Sequence, residues 1–143
     1  MIVIRTLLAA AILSCLAPAQ VTTVAGSGCP QSGLSCKSGG SPNLGQSVGF
    51  KCGYFSVPNT PTFLLVGLEI NPGIPLSSPL TCGTPCSLMT FDVVTVMAVG
   101  VAEVWLNIPP DPTLVGACLA IQGGALTSTC VDLAAGWVVC IQP

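Results

Sequence analysis

Pro109-Pro110 and Gly123-Gly124 divide the stretch Val99–Leu126 (VGVAEVWLNIPPDPTLVGACLAIQGGAL) into an alternating segment, a proline-locked turn and a second apolar segment that ends at a Gly-Gly reversal. Two adjacent prolines cannot donate to a β-ladder and are intolerable inside a helix. With alternation before them and turn chemistry after, the stretch reads as two strands and their connections. Ala102, Val104, Leu106 and Ile108 alternate with Glu103, Trp105 and Asn107, which puts the first four on one face, toward a core. Trp105 falls on the opposite face, which is either a second buried layer or exposed. Asp111-Pro112-Thr113 sets a turn in which the Asp111 carboxylate bonds a nearby backbone N–H. Ala117–Gln122 and Leu126–Leu133 flank Gly123-Gly124 and read as a hairpin reversing at the two glycines. After a turn at Ala134-Ala135-Gly136, Trp137–Ile141 is a last strand.

The rest of the chain follows the same grammar. Val21–Val24 is a short β-prone start. Residues 29–45 are rich in Gly, Ser, Pro and Cys with almost no apolar weight, and read as a loop. Gly39-Gly40-Ser41 lacks the lysine and the following helix of a phosphate loop. Ser47–Val57 alternates as a strand with Val48, Phe50, Cys52 and Tyr54 on one side, ended by Pro58-Asn59-Thr60-Pro61. Thr62–Ile70 is a continuous apolar run, expected as a central strand that Asn71-Pro72-Gly73 breaks. Pro75–Pro85 is too punctuated for a helix. Cys86–Val101 is β-branched, and reads as two strands or one long bent one with Asp92 at the break. The expectation is an all-β fold, an antiparallel β-sandwich of about seven to nine short strands.

Residues 1–19 stand apart. Arg5, the apolar run Leu7–Leu16 and Ala17-Pro18-Ala19 match a secretory signal peptide cleaved before Gln20. The run is about half of the ~20 residues a membrane span needs, so no transmembrane segment is expected once it is removed. Ile12-Leu13-Ser14-Cys15 is a loose lipobox, making lipidation at Cys15 the weaker alternative. Residues 20–143 are then a single domain that is secreted to the extracellular space, the cell surface or the periplasm. They carry Lys37 and Lys51 against Glu69, Asp92, Glu103, Asp111 and Asp132, two positive charges against five negative, a net of −3. Nothing in that balance attracts nucleic acid or anionic lipid.

Eight cysteines remain after the signal: Cys29, Cys36, Cys52, Cys82, Cys86, Cys118, Cys130 and Cys140. An even number in an exported chain points to disulfide staples. Cys118–Cys130 and Cys130–Cys140 are both reasonable across the last reversals, and only one of them can form. Cys82-Gly-Thr-Pro-Cys86 is half of a thiolate metal site, but no second close pair and no histidine complete it. Asp111 and Asp132 are too isolated for a calcium site. No cofactor or metal is expected. With every thiol paired, no histidine and no carboxylate motif, no catalytic residues stand out. The carboxylates read as solubilising or turn-capping groups.

The order of motifs carries a resemblance. Gly26-Ser27-Gly28-Cys29-Pro30, Pro42-Asn43-Leu44-Gly45, Pro58-Asn59-Thr60-Pro61 with Leu64-Leu65-Val66-Gly67, Pro75-Leu76, Cys86-Ser87-Leu88 and Ile108–Gly116 with Gln122 follow one another. Together they resemble a Gly/Pro-rich secreted β-domain that recurs in planctomycete-type bacterial proteins, often at the C-terminus of larger exported chains. The resemblance covers nearly all of residues 20–143. It implies a β-sandwich without an established activity, and it implies that Cys29 pairs with Cys86. The chain departs from that pattern in carrying six further cysteines.

The functional expectation is an exported, non-catalytic structural or adhesive β-domain of the cell surface or extracellular matrix, able to self-associate through its low-charge faces. The alternative is a soluble extracellular binding module for carbohydrate or a protein partner. Trp105, Trp137, Tyr54 and the phenylalanines are the candidates for a sugar-stacking platform, though core packing is the commoner use of such residues.

Overall fold

A computed structural model describes residues 21–24, 27–29, 32–54, 57, 59–82 and 86–143. The leader and the Cys15 motif lie outside these residues. Strands β1 (Val21–Thr23), β2 (Leu34–Gly40), β3 (Ser47–Tyr54), β4 (Pro61–Leu76), β5 (Cys86–Val99), β6 (Val101–Asn107), β7 (Cys118–Leu126), β8 (Val131–Leu133) and β9 (Trp137–Cys140) account for most of them, with one 3-10 turn at Pro112–Leu114. All named strand pairs are antiparallel. One sheet runs β1-β9-β7-β4-β5 with β8 beside β7, and the other runs β2-β3-β6.

The two sheets face each other across one core. Val48, Phe50, Cys52, Ala102 and Ile108 come from the smaller sheet and its end, and Leu64, Val66, Ile121, Trp137 and Val139 from the larger. The rings of Phe50 and Trp137 meet at 5.5 Å between centroids. Burying each large side chain here contributes about 1.5–3 kcal/mol. A second, smaller cluster of Cys29, Phe63, Cys86 and Leu133 completes the packing. The all-β antiparallel sandwich expected from the sequence is the fold.

Three local expectations are corrected and one open choice is decided. First, residues 34–40 within the expected 29–45 loop are strand β2, in register with β3 from Leu34↔Tyr54 to Gly40↔Val48. An edge strand needs few apolar side chains when its ladder and a disulfide hold it, so Lys37, Ser38, Gly39 and Gly40 gave no hydrophobic signal. Second, Asn71-Pro72-Gly73 does not end the strand: β4 continues to Leu76, with an irregularity between Glu69 and Ile74 that absorbs the proline. Third, of the two readings left open for 86–101, the one long strand is found, ending at Val99; its register slips between Val66↔Val94 and Gly67↔Asp92, at the break expected at Asp92. Gly100, at φ 88°, then turns the chain into β6.

Fourth, Gly123-Gly124 is no hairpin turn. Both lie inside β7, opposite Leu64 and Phe63, and the reversal to β8 falls at residues 127–130. A Cβ at 123 would run into the Cys52 and Cys36 sulfurs, and one at 124 into the Phe63 ring. The glycines are there for close approach, not for turning.

The disulfides are Cys29–Cys86, Cys36–Cys52, Cys82–Cys130 and Cys118–Cys140. Neither Cys118–Cys130 nor Cys130–Cys140 exists. Strand register decides this: Cys118 sits directly opposite Cys140, as Cys36 does opposite Cys52. Their Cα separations of 4.1 and 4.2 Å suit side chains that meet across neighbouring strands. Four intramolecular disulfides fit an oxidising environment, extracellular or periplasmic. No helix among the described residues is long and apolar enough to cross a membrane.

Candidate functional site

The chemistry-bearing side chains gather on the outer face of the β2-β3-β6 sheet. Alternation sends Val48, Phe50 and Cys52 of β3 inward and leaves Ser47, Gly49, Lys51 and Gly53 outward. Register then places Lys37, Lys51 and Glu103 in one cross-strand row and Gly39, Gly49 and Trp105 in the next. Ser47 and Asn107 form a third row, joined by a hydrogen bond of 2.7 Å from the Ser47 hydroxyl to the Asn107 side-chain oxygen.

Trp105 is 55 % exposed. Its indole lies flat on Gly49: three ring carbons would stand 2.8 Å from a Cβ at that position. The absence of a side chain on Gly49 is what lets the ring lie down. The indole Nε1–H donates to Glu103 Oε1 at 2.7 Å, and the other carboxylate oxygen is 3.7 Å from Lys51 Nζ. One ring face is thus seated on the sheet, one edge is pinned, and the remaining face is open. Beyond it, nothing stands within 4 Å of where a Cβ on Gly39 would be, so the floor beside the ring is bare backbone.

Of the other aromatic candidates, Trp137 and Phe50 belong to the core, Phe63 to the second cluster, and Tyr54 is half-buried. Phe55 and the side chain of Phe91 lie outside what the structure describes, and among the described aromatic side chains the platform narrows to Trp105. The structure also shows why Cys82 and Cys86 form no thiolate pair: each belongs to a different disulfide. Among the described residues no group of histidine, cysteine or carboxylate side chains is arranged to hold a metal.

The carboxylates split. Asp111 caps the 3-10 turn, its Oδ1 accepting from the Thr113 N–H at 2.9 Å and the Thr113 hydroxyl at 2.8 Å. Those bonds hold its pKa below the ordinary carboxylate value. Asp132 departs from the expected exposed role: it is 2 % exposed, and its Oδ2 accepts from the Gly33 N–H at 2.8 Å, tying the approach to β2 onto β8. A separate cleft of about 520 Å³ opens between Val57, residues 59–61 and the 126–130 turn. Tyr54, Asn59, Thr60, Thr127, Ser128 and the Cys82–Cys130 bridge line it, and no carboxylate or ammonium group is among its described lining residues.

No family model, curated protein or solved structure matches this chain. Lys37 and Lys51 were not candidates from the sequence alone. Their shared face exists only once β2 is a strand, and the one available signal was that they are the only two cations after Arg5.

Proposed function

We propose that this chain is an exported, non-catalytic structural or adhesive β-domain of the cell surface or extracellular matrix. The observation that carries this reading is β5. It is the outermost strand of the larger sheet, 14 residues long, and Val94, Met97 and Val99 along it are exposed, as is Leu68 on the neighbouring β4. A long apolar edge is a template for pairing with another chain, and a surface this poor in charge does little to oppose association. Light scattering and negative-stain electron microscopy on chain produced in an oxidising compartment test it. Fibres, sheets or a defined oligomer that Met97→Lys returns to monomer are the expected result. A monodisperse monomer at high concentration overturns it.

The open face of Trp105 favours a second reading, an extracellular binding module for carbohydrate or a protein partner. An indole fixed in place on a mostly polar sheet face contributes apolar contact at little entropic cost.

A further inference from the structure

We propose that the outer face of the β2-β3-β6 sheet binds an acidic saccharide, with a sugar ring on the free face of Trp105 and its carboxylate held by Lys51 and Lys37. This rests on the binding-module reading and names its ligand class. Three observations converge. The two lysines that follow Arg5 in the sequence stand directly opposite each other on adjacent strands. Like charges in that position are mutually destabilising, and Glu103 lies within ion-pair distance of Lys51 only. The row therefore has two cations against one carboxylate, on a domain that is otherwise acidic, and an anion arriving from outside relieves the repulsion.

The second observation is distance. Rows two residues apart along a strand are separated by about 7 Å and neighbouring strands by about 4.8 Å. A pyranose lying on Trp105 would thus put a ring substituent in the row of Lys51, with Lys37 one strand further on. The third is the character of the face. Its one large aromatic lies flat, the rest apart from Val101 is polar or glycine, and the bare floor at Gly39 continues the row from Trp105. A sugar has the matching build: an apolar face of C–H bonds for the indole and a hydroxyl rim for Glu103, Asn107 and Ser47. A protein partner would want a broader apolar patch than one ring and Val101, the other exposed large apolar side chain of β6.

The test is calorimetric titration of the full chain with oligogalacturonate, with the methyl ester of the same oligomer, and with a thymidine oligonucleotide. Oligogalacturonate is expected to bind, more weakly as salt rises. The neutral ester should bind roughly tenfold less tightly, the combined effect of two exposed charge contacts. Trp105→Ala should lose binding to both sugars, and Lys37→Gln and Lys51→Gln should each weaken the acid roughly threefold to fivefold without affecting the ester. Trp105 and both lysines are exposed, so these variants keep the fold, checked by the near-ultraviolet signal of buried Trp137. Equal affinity for acid and ester overturns the acidic preference while leaving a saccharide module standing. Equal affinity for the oligonucleotide makes the face a general polyanion surface and overturns the proposal. Absence of binding to any probe, or binding that survives Trp105→Ala, overturns the site itself.

Discussion

Replacing Gln122 by leucine should destabilise this domain severely, although leucine looks the more natural core residue. Gln122 is wholly buried in the middle of β7. Its Oε1 accepts from the Met89 N–H at 3.0 Å, and its Nε2 donates to the Ser87 carbonyl at 2.9 Å and to the Ala134 carbonyl at 3.2 Å. Met89 lies in β5 where the register with β4 is interrupted, between the pairs Glu69↔Thr90 and Ile74↔Leu88. The glutamine amide stands in there for a missing strand neighbour. In Gln122→Leu the Ser87 carbonyl keeps the Gly28 N–H at 3.0 Å, while the Met89 N–H and the Ala134 carbonyl lose the amide. Leaving a buried backbone group unsatisfied costs about 1–3 kcal/mol, so two cost about 2–6 kcal/mol. The added apolar burial offsets about 1–2 kcal/mol of that. Taking the middle of each range, the net loss is about 2.5 kcal/mol, a large share of a typical 5–15 kcal/mol. Guanidinium unfolding with the disulfides intact measures it, and hydrogen exchange at the Met89 amide should quicken. A loss below about 1 kcal/mol, or a gain, would refute the claim that this side chain substitutes for ladder hydrogen bonds.

Two further outcomes follow from the disulfides and the caps. Cys29–Cys86 spans 57 residues and Cys36–Cys52 spans 16; on chain-entropy grounds removing the first should cost about 4 kcal/mol and the second about 3 kcal/mol, and paired Cys→Ala unfolding curves in the opposite order would contradict this. Asp111, with its pKa depressed in the folded state by the Thr113 bonds, contributes stability that is present at neutral pH and lost as pH falls through that lowered pKa. Asp111→Ala should therefore lower Tm at pH 7 and leave it unchanged at a pH where the carboxylate is protonated in both states; a pH-independent effect would mean that the cap acts through packing instead.

How much of this was legible in the residues depended on whether one face of a strand was buried and the other wet. β6 meets that condition: Ala102 and Ile108 are buried while Glu103, Trp105 and Asn107 are exposed, so simple alternation located the strand and set Trp105 apart. β2 does not meet it, because its outward side is Ser35, Lys37 and Gly39 and its inward side is stapled through Cys36. Composition then says loop where the backbone says strand. Gly123-Gly124 misled for a related reason. The dipeptide has the chemistry of a turn, but the residues that exclude a Cβ there, Cys36, Cys52 and Phe63, are distant in sequence. Cysteine pairing likewise follows from which strands lie side by side, which spacing along the chain does not encode.

The pairing of β1 with β9 has a consequence for how the domain is made. Among the described residues Val21–Thr23 finds its ladder partners in Trp137–Val139, and β9 in turn docks on β7. The first of the described strands is thus held by the last, and it can be placed only once β9 has docked on β7. Topologies closed by such distant contacts assemble slowly. Of the four described bridges Cys36–Cys52 spans the shortest separation, 16 residues, which makes it the natural seed, and Cys118–Cys140, which ties β9 to β7, the latch.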